Sequence, residues 1–127
     1  MDTRQLGELG EKIACGYLVE KGFTILGKNY RITFGEIDII ARHKDIIHFV
    51  EVKALRQAQG EPLIEGFFPE EHVNYKKQRK LLQMAQIWLE QNRYPQDFPY
   101  QIDIVGILVN ETVRSAKLHY FPNAVGG

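Results

Sequence analysis

Apolar residues recur at helical spacing near the start of the chain. Leu6, Gly10, Ile13 and Tyr17 fall along one face, which predicts a helix over residues 3–21, with Gly22 as its stop. The period then changes. From Phe23 to Lys53 the chain is rich in β-branched and aromatic residues, with breaks near Thr33-Phe34-Gly35 and His43-Lys44-Asp45. Three antiparallel strands joined by short turns are expected there. Residues 54–69 hold two glycines, two prolines and the pair Phe67-Phe68 without a sustained period, which reads as a mobile loop. Helical spacing returns over residues 71–92, where Val73, Leu81, Leu82, Ala85, Trp88 and Leu89 form a stripe that Pro95 and Pro99 close off. Residues 100–109 and 113–121 read as two more strands, turning at Asn110-Glu111. The order is therefore α-β-β-β-α-β-β. The second helix is long enough for a parallel crossover, so an α/β fold with a mixed β-sheet flanked by helices is expected.

Length and composition narrow the class. At 127 residues, with 44% apolar and 25% charged residues, the chain fits one globular domain with a real core. The only cysteine, Cys15, cannot form an internal disulfide, and the segment MDTRQLGELG lacks the layout of a secretion signal, so a cytoplasmic location is expected. No apolar run approaches the roughly 18 residues that would span a bilayer. Sixteen basic and sixteen acidic residues cancel, so net charge alone does not announce a nucleic-acid binder. Local charge does leave one candidate face, because Lys76, Lys77, Arg79 and Lys80 crowd one short stretch of the second helix. A solvated charged face is the ordinary outcome for such a run. Meeting phosphate through Lys76, Lys77 and Lys80 is the functional one.

The chemistry-bearing residues lie on two strands. In GEIDII, alternation puts Glu36 and Asp38 on one face and Ile37 and Ile39 on the other. In IIHFVEVKA it puts Glu51 and Lys53 on one face, with Val50 and Val52 opposite. If these strands form a hairpin turning near His43 to Asp45, Asp38 and Glu51 stand at similar distances from the bend. An Asp, a Glu and a Lys would then converge. Hard oxygen ligands suit Mg²⁺ or Mn²⁺, which take one or two carboxylates plus water and a substrate phosphate, and Lys53 would stabilise phosphate charge. The competing interpretation is a structural ion pair, since a Glu-x-Lys triplet arises by composition in roughly every second chain of this size. Phe49, Val50 and Val52 favour function: they mark a central strand, where burying Glu and Lys costs several kcal/mol unless each is paired or bound to an ion. In the first helix, Glu11 shares a stripe with Gly7, Ala14 and Leu18, whereas Glu8 projects away from the apolar face. Glu11 is thus the inward candidate, with ordinary solvation as its alternative. Asp103, in the apolar run QIDIVGIL, reads as the buried partner of an Arg. Neither the histidines nor Cys15 form zinc-ligand spacing.

Taken together, these residues resemble the YraN family of small bacterial proteins, similar to the PD-(D/E)xK endonuclease-like superfamily that includes archaeal Holliday-junction resolvases. The resemblance runs from Gly7, Gly10-Glu11, Ala14, Leu18 and Gly22 through Asn29-Tyr30-Arg31. It continues over Gly35 to Ala41, Phe49 to Lys53 and the Lys77 to Ala85 helix, and closes with Asp103 and Asn123-Ala124. It implies a restriction-endonuclease-like core with Glu11, Asp38, Glu51 and Lys53 on the catalytic motif. Where the family continues with a basic or hydroxyl residue after the motif lysine, this chain has Ala54-Leu55 before Arg56, which weakens any role for Arg56. The expected activity is Mg²⁺- or Mn²⁺-dependent endonucleolytic hydrolysis of DNA, with branched or structured DNA among the candidate substrates and Asp38 and Glu51 as metal ligands. A homodimer is the natural way to cut a four-way junction twice. Two other functions compete, a non-catalytic nucleic-acid-binding module and a protein-interaction adaptor using Phe67-Phe68.

Overall fold

A computed structural model describes residues 1–57 and 75–125. The chain forms helix α1 (Thr3–Glu20), strands β1 (Thr24–Ile32), β2 (Gly35–His43) and β3 (Ile46–Arg56), helix α2 (Tyr75–Gln91), and strands β4 (Tyr100–Asn110) and β5 (Ser115–Val125). The five strands make one sheet in the order β1-β2-β3-β4-β5. Among the described residues only the β3–β4 pair is parallel, as the α2 crossover requires, and the other three pairs are antiparallel. The expected element order and mixed sheet are thus present. Two expected boundaries move. Residues 54–56, expected in a loop, continue β3 because β4 supplies partners as far as Arg56–Val109. The last strand starts later and runs to Val125, after a turn in which Asn110 Oδ1 accepts from the Thr112 and Val113 N–H groups. Val73, the pair Phe67-Phe68 and the rest of the expected loop lie outside the described residues.

Each helix covers one face of the sheet. α1 buries Leu6, Ala14 and Leu18 against Ile39, Val50, Val105 and Ile107, and α2 buries Leu81, Met84, Trp88 and Leu89 against Ile37, Ile40, Phe49 and Ile104. A fully covered residue such as Leu18 or Ile104 contributes about 1.5–3 kcal/mol. α1 begins with a reciprocal cap: Asp2 Oδ1 accepts from the Gln5 N–H, and the Asp2 N–H donates to Gln5 Oε1, both at 2.8 Å. It ends at Glu20, and the chain turns away through Gly22, whose φ of +94° only glycine adopts cheaply. Gly10 sets how close this helix lies. A Cβ there would stand 2.7 Å from the Ala54 Cβ, so the missing side chain brings the helix against β3 and Glu11 alongside the sheet. None of the described helices is long and apolar enough to cross a membrane.

Asp103 is fully buried, but its partner is not an arginine. It faces the α1 side, where the His48 Nδ1–H and the Tyr120 hydroxyl donate to Oδ2 at 2.6 and 2.7 Å. Gln101 Nε2 and the Asn123 N–H donate to Oδ1 at 2.7 and 2.8 Å. Burial acts against its charge, yet the hydrogen bonds, from His48 foremost, hold its pKa below the ordinary carboxylate value. The network joins β3, β4 and β5 and leaves no oxygen of Asp103 for chemistry. Tyr120→Phe removes one hydrogen bond to a buried charge and should lower the unfolding free energy by about 1.5–3 kcal/mol, read from the denaturant midpoint.

Candidate active site

The site begins where the sheet opens. β2 and β3 pair from His43–Ile46 up to Ile39–Val50, and past that level β3 is paired, among the described residues, only with β4. Asp38 stands in the opening. Its Oδ2 accepts from the Val52 N–H at 2.7 Å, replacing the backbone acceptor that β2 no longer provides. The expected side-chain alternation fails at this residue, since Ile37 packs in the α2 core and Ile39 in the α1 core. The neighbouring strand is irregular at the same level. Asn29 lies at the same level, between the Lys28–Ile39 and Tyr30–Ile37 pairs, and takes the left-handed conformation with φ +52°. Asn tolerates that region better than most residues do. Beyond this level both strands change facing: Ile25 and Ile39 pack in the α1 core, Tyr30, Ile32 and Ile37 in the α2 core, and the hairpin tip lies towards α2.

Alternation holds along β3. Glu51 and Lys53 point to the α2 side with Phe49, while Val50, Val52 and Ala54 point to α1. Glu51 is buried, and Lys77 of α2 donates to its Oε1 at 2.8 Å. Burial and the adjacent Glu51 charge push the Asp38 carboxyl up to about 7. Burial, then the nearby Lys77 charge, lowers the Lys53 pKa. Burial acts the same way on Lys77, but the Glu51 hydrogen bond outweighs it and its pKa is raised.

Glu11 closes the other side. With its amide turned so that nitrogen faces acceptors, Asn29 donates to Glu11 Oε1 at 2.8 Å and to Glu36 Oε1 at 2.9 Å. Glu36 also lies 3.4 Å from Arg31 Nε. Burial and the Glu36 charge raise the Glu11 pKa. Glu8 is exposed and pairs with Arg4, in keeping with the choice of Glu11 as the inward residue. Glu11, Asp38, Glu51 and Lys53 thus gather at one opening, joined by Asn29, by Lys77 and by Glu36, which the strand pattern sets with Asp38. Of these, Asn29 was signalled by its place within a strand, where Asn is rare. The Glu36 contact to Asn29 and the Lys77 contact to Glu51 depend on tertiary packing. Lys76 and Lys80 lie beside Lys77 along a cleft between α2 and the β1–β2 turn.

A divalent cation is chemically suited to the opening. Among the described residues, no three acidic, histidine or cysteine side chains close around one point. Mg²⁺ needs no such cage, because one or two carboxylates suffice when water and a phosphate complete the shell. Two mutually repelling carboxylates, Asp38 with one oxygen engaged by the described residues and Glu51 with a cation already on Oε1, form a donor set that a hard cation would relieve.

The profile of the uncharacterised protein family UPF0102 matches residues 10–107, a span that holds all of these residues. A UPF0102 protein of Dictyoglomus turgidum is 35% identical over 124 residues, covering 98% of this chain and 99% of its own. One from Syntrophotalea carbinolica is 40% identical over 119 residues, covering 94% and 89%, and one from Clostridioides difficile is 38% identical over 111 residues, covering 87% and 91%. The profile match and the nearly full-length relatives establish that this chain belongs to the UPF0102 family.

Proposed function

We propose that this protein is a single endonuclease-like domain of the PD-(D/E)xK, restriction-endonuclease-like kind, which hydrolyses phosphodiester bonds of DNA with Mg²⁺ or Mn²⁺. The observation carrying this reading is the opened β2–β3 ladder, in which Asp38 is held by the Val52 N–H and raised to about 7 beside Glu51, with Lys53 on the same strand face. A carboxyl held above its ordinary pKa by burial and a second carboxylate, at an opening in the sheet, is the kind of perturbation that functional sites concentrate. Asp38 and Glu51 would hold the cation, whose chemistry is to acidify water and offset phosphate charge. Glu11, steered by Asn29, would complete the shell or orient the attacking water. Lys53 would stabilise negative charge on the phosphate oxygens as the water oxygen bonds to phosphorus and the leaving oxygen departs. A cytoplasmic location belongs to the same proposal, resting on the lone buried Cys15. So does a C₂ dimer, if the substrate is a four-way junction.

A second reading, a non-catalytic nucleic-acid-binding module, is favoured by one contact: Lys77 already neutralises Glu51 at 2.8 Å. The adaptor reading depends on Phe67-Phe68, outside the described residues. Incubating the protein with single-stranded, linear duplex, flapped and four-way-junction DNA in Mg²⁺, Mn²⁺ or EDTA separates these functions. Cleavage dependent on the cation supports the nuclease. Binding without cleavage of any substrate in either metal supports the module.

A further inference from the structure

The β1–β2 turn carries a residue that the fold does not explain. Ile32 pairs with Gly35, so Thr33-Phe34 forms the tip of a tight hairpin. Such tips favour small or polar residues such as Gly, Asn or Asp, and the next hairpin turns on the polar pair Lys44-Asp45. Phe34 instead leaves 41% of its surface exposed. A Cβ on Gly35 would stand 2.7 Å from Met84 Sδ, so the turn lies close against α2. Between the turn and the helix lies a cleft of about 300 Å³, with Phe34 on one wall and Lys76, Lys77 and Lys80 on the other. It leads into the carboxylate site: Glu36 lines it and acts electrostatically on Asp38, and Lys77 lines it and holds Glu51.

We infer that this cleft binds an unpaired stretch of nucleic acid, with a base stacked on Phe34 and the adjoining phosphates on Lys76 and Lys80. The inference deepens the nuclease reading and rests on it for the role of the bound strand. Its physical basis is charge complementarity together with an aromatic ring. Basic grooves that take single strands pair ammonium groups for the backbone with exposed rings for the bases, whose faces are stacked away in a duplex. The reversal at Asn29 and Asp38 puts the ring there, since it carries the hairpin tip to the α2 side. The substrate class that follows is a strand with at least one unstacked base beside the cut, such as a flap, a gap or a junction arm.

The test is a binding measurement and needs no cleavage. In EDTA, fluorescence anisotropy compares a labelled single-stranded oligomer with a blunt duplex of the same length, in deoxyribose and ribose series. Wild type should prefer the single strand. Phe34→Ala should weaken single-strand binding about 5- to 150-fold, the loss expected for one stacked base, while changing duplex affinity less than twofold. Phe34→Trp should restore binding, and its emission should be quenched by the oligomer. Lys76→Ala with Lys80→Ala should instead flatten the salt dependence, by about 0.7 per contact on a single strand. Lys77 is left intact because it also holds Glu51. A Phe34-dependent preference in either sugar series supports the inference, and the series with the larger effect identifies the strand. Equal losses on single strand and duplex, or no loss on either, overturn it. Stacking without cleavage in any metal would sink the nuclease reading and leave the cleft assignment standing.

Discussion

Lys53→Met should lower DNA cleavage by at least about 10²–10³-fold while leaving Mn²⁺ affinity and the melting temperature nearly unchanged. The magnitude is that of removing one preorganised charge aimed at a transition state. Lys53 lies on the Glu51 face of β3, and its pKa is lowered first by burial and then by Lys77. Its ammonium is therefore partly stripped of water and acts in a medium where charge counts for more. Glu51 keeps a cation after the substitution, because Lys77 donates to its Oε1. Folding should survive for that reason, and Met preserves most of the apolar stem. Rates under saturating Mn²⁺, with binding measured separately, read the effect. A variant that cleaves normally would remove Lys53 from the mechanism, and one that unfolds would make it half of a structural ion pair.

Asp38→Asn should stabilise the metal-free protein at pH 8, against the usual cost of altering a buried polar residue. The Asp38 carboxyl is raised from an ordinary 3.8 to about 7, so the folded state binds its proton more tightly than the unfolded chain does. The stability this confers is fully present below about pH 4 and is lost as pH rises through about 7. At 1.36 kcal/mol per unit the loss reaches about 4 kcal/mol. Asparagine carries no charge to lose and keeps an oxygen for the Val52 N–H. The variant should therefore melt several degrees above wild type at pH 8 and close to it at pH 4. Mn²⁺ at a hundredfold excess over its dissociation constant should restore about 2.7 kcal/mol to wild type and little to the variant. A variant less stable at pH 8 without metal would show that Asp38 is paid for by an attraction instead of strained by Glu51.

The features readable from sequence are those set by unbroken periodicity. β3 alternates without interruption from Ile47 to Lys53, so Glu51 and Lys53 were assigned to one face correctly, and the α2 crossover made β3 and β4 parallel neighbours. Failures arose where a single residue or a distant partner decides the outcome. Ile37 and Ile39 face opposite cores at the level where Asn29, on the adjacent strand, is left-handed. Asp103 satisfies its charge with His48, 55 positions away, and no local pattern distinguishes that from an arginine. β3 extends to Arg56 because β4 offers Val109, although Ala54-Leu55-Arg56 carries no strand period of its own. Phe34 stood in view as part of a turn signal, but its place opposite three lysines depends on the reversal of the hairpin.

The central claim, a divalent-cation site on Asp38 and Glu51, is tested most directly by calorimetric titration of Mn²⁺ into wild type and Asp38→Ala at pH 8, where the Asp38 carboxyl is largely ionised. The account predicts a single saturable site in wild type, weaker by about tenfold per pH unit once the pH falls below about 7 and the proton competes, and no measurable site in the variant. Equally negligible heats from both proteins, or equal binding by both, would contradict it.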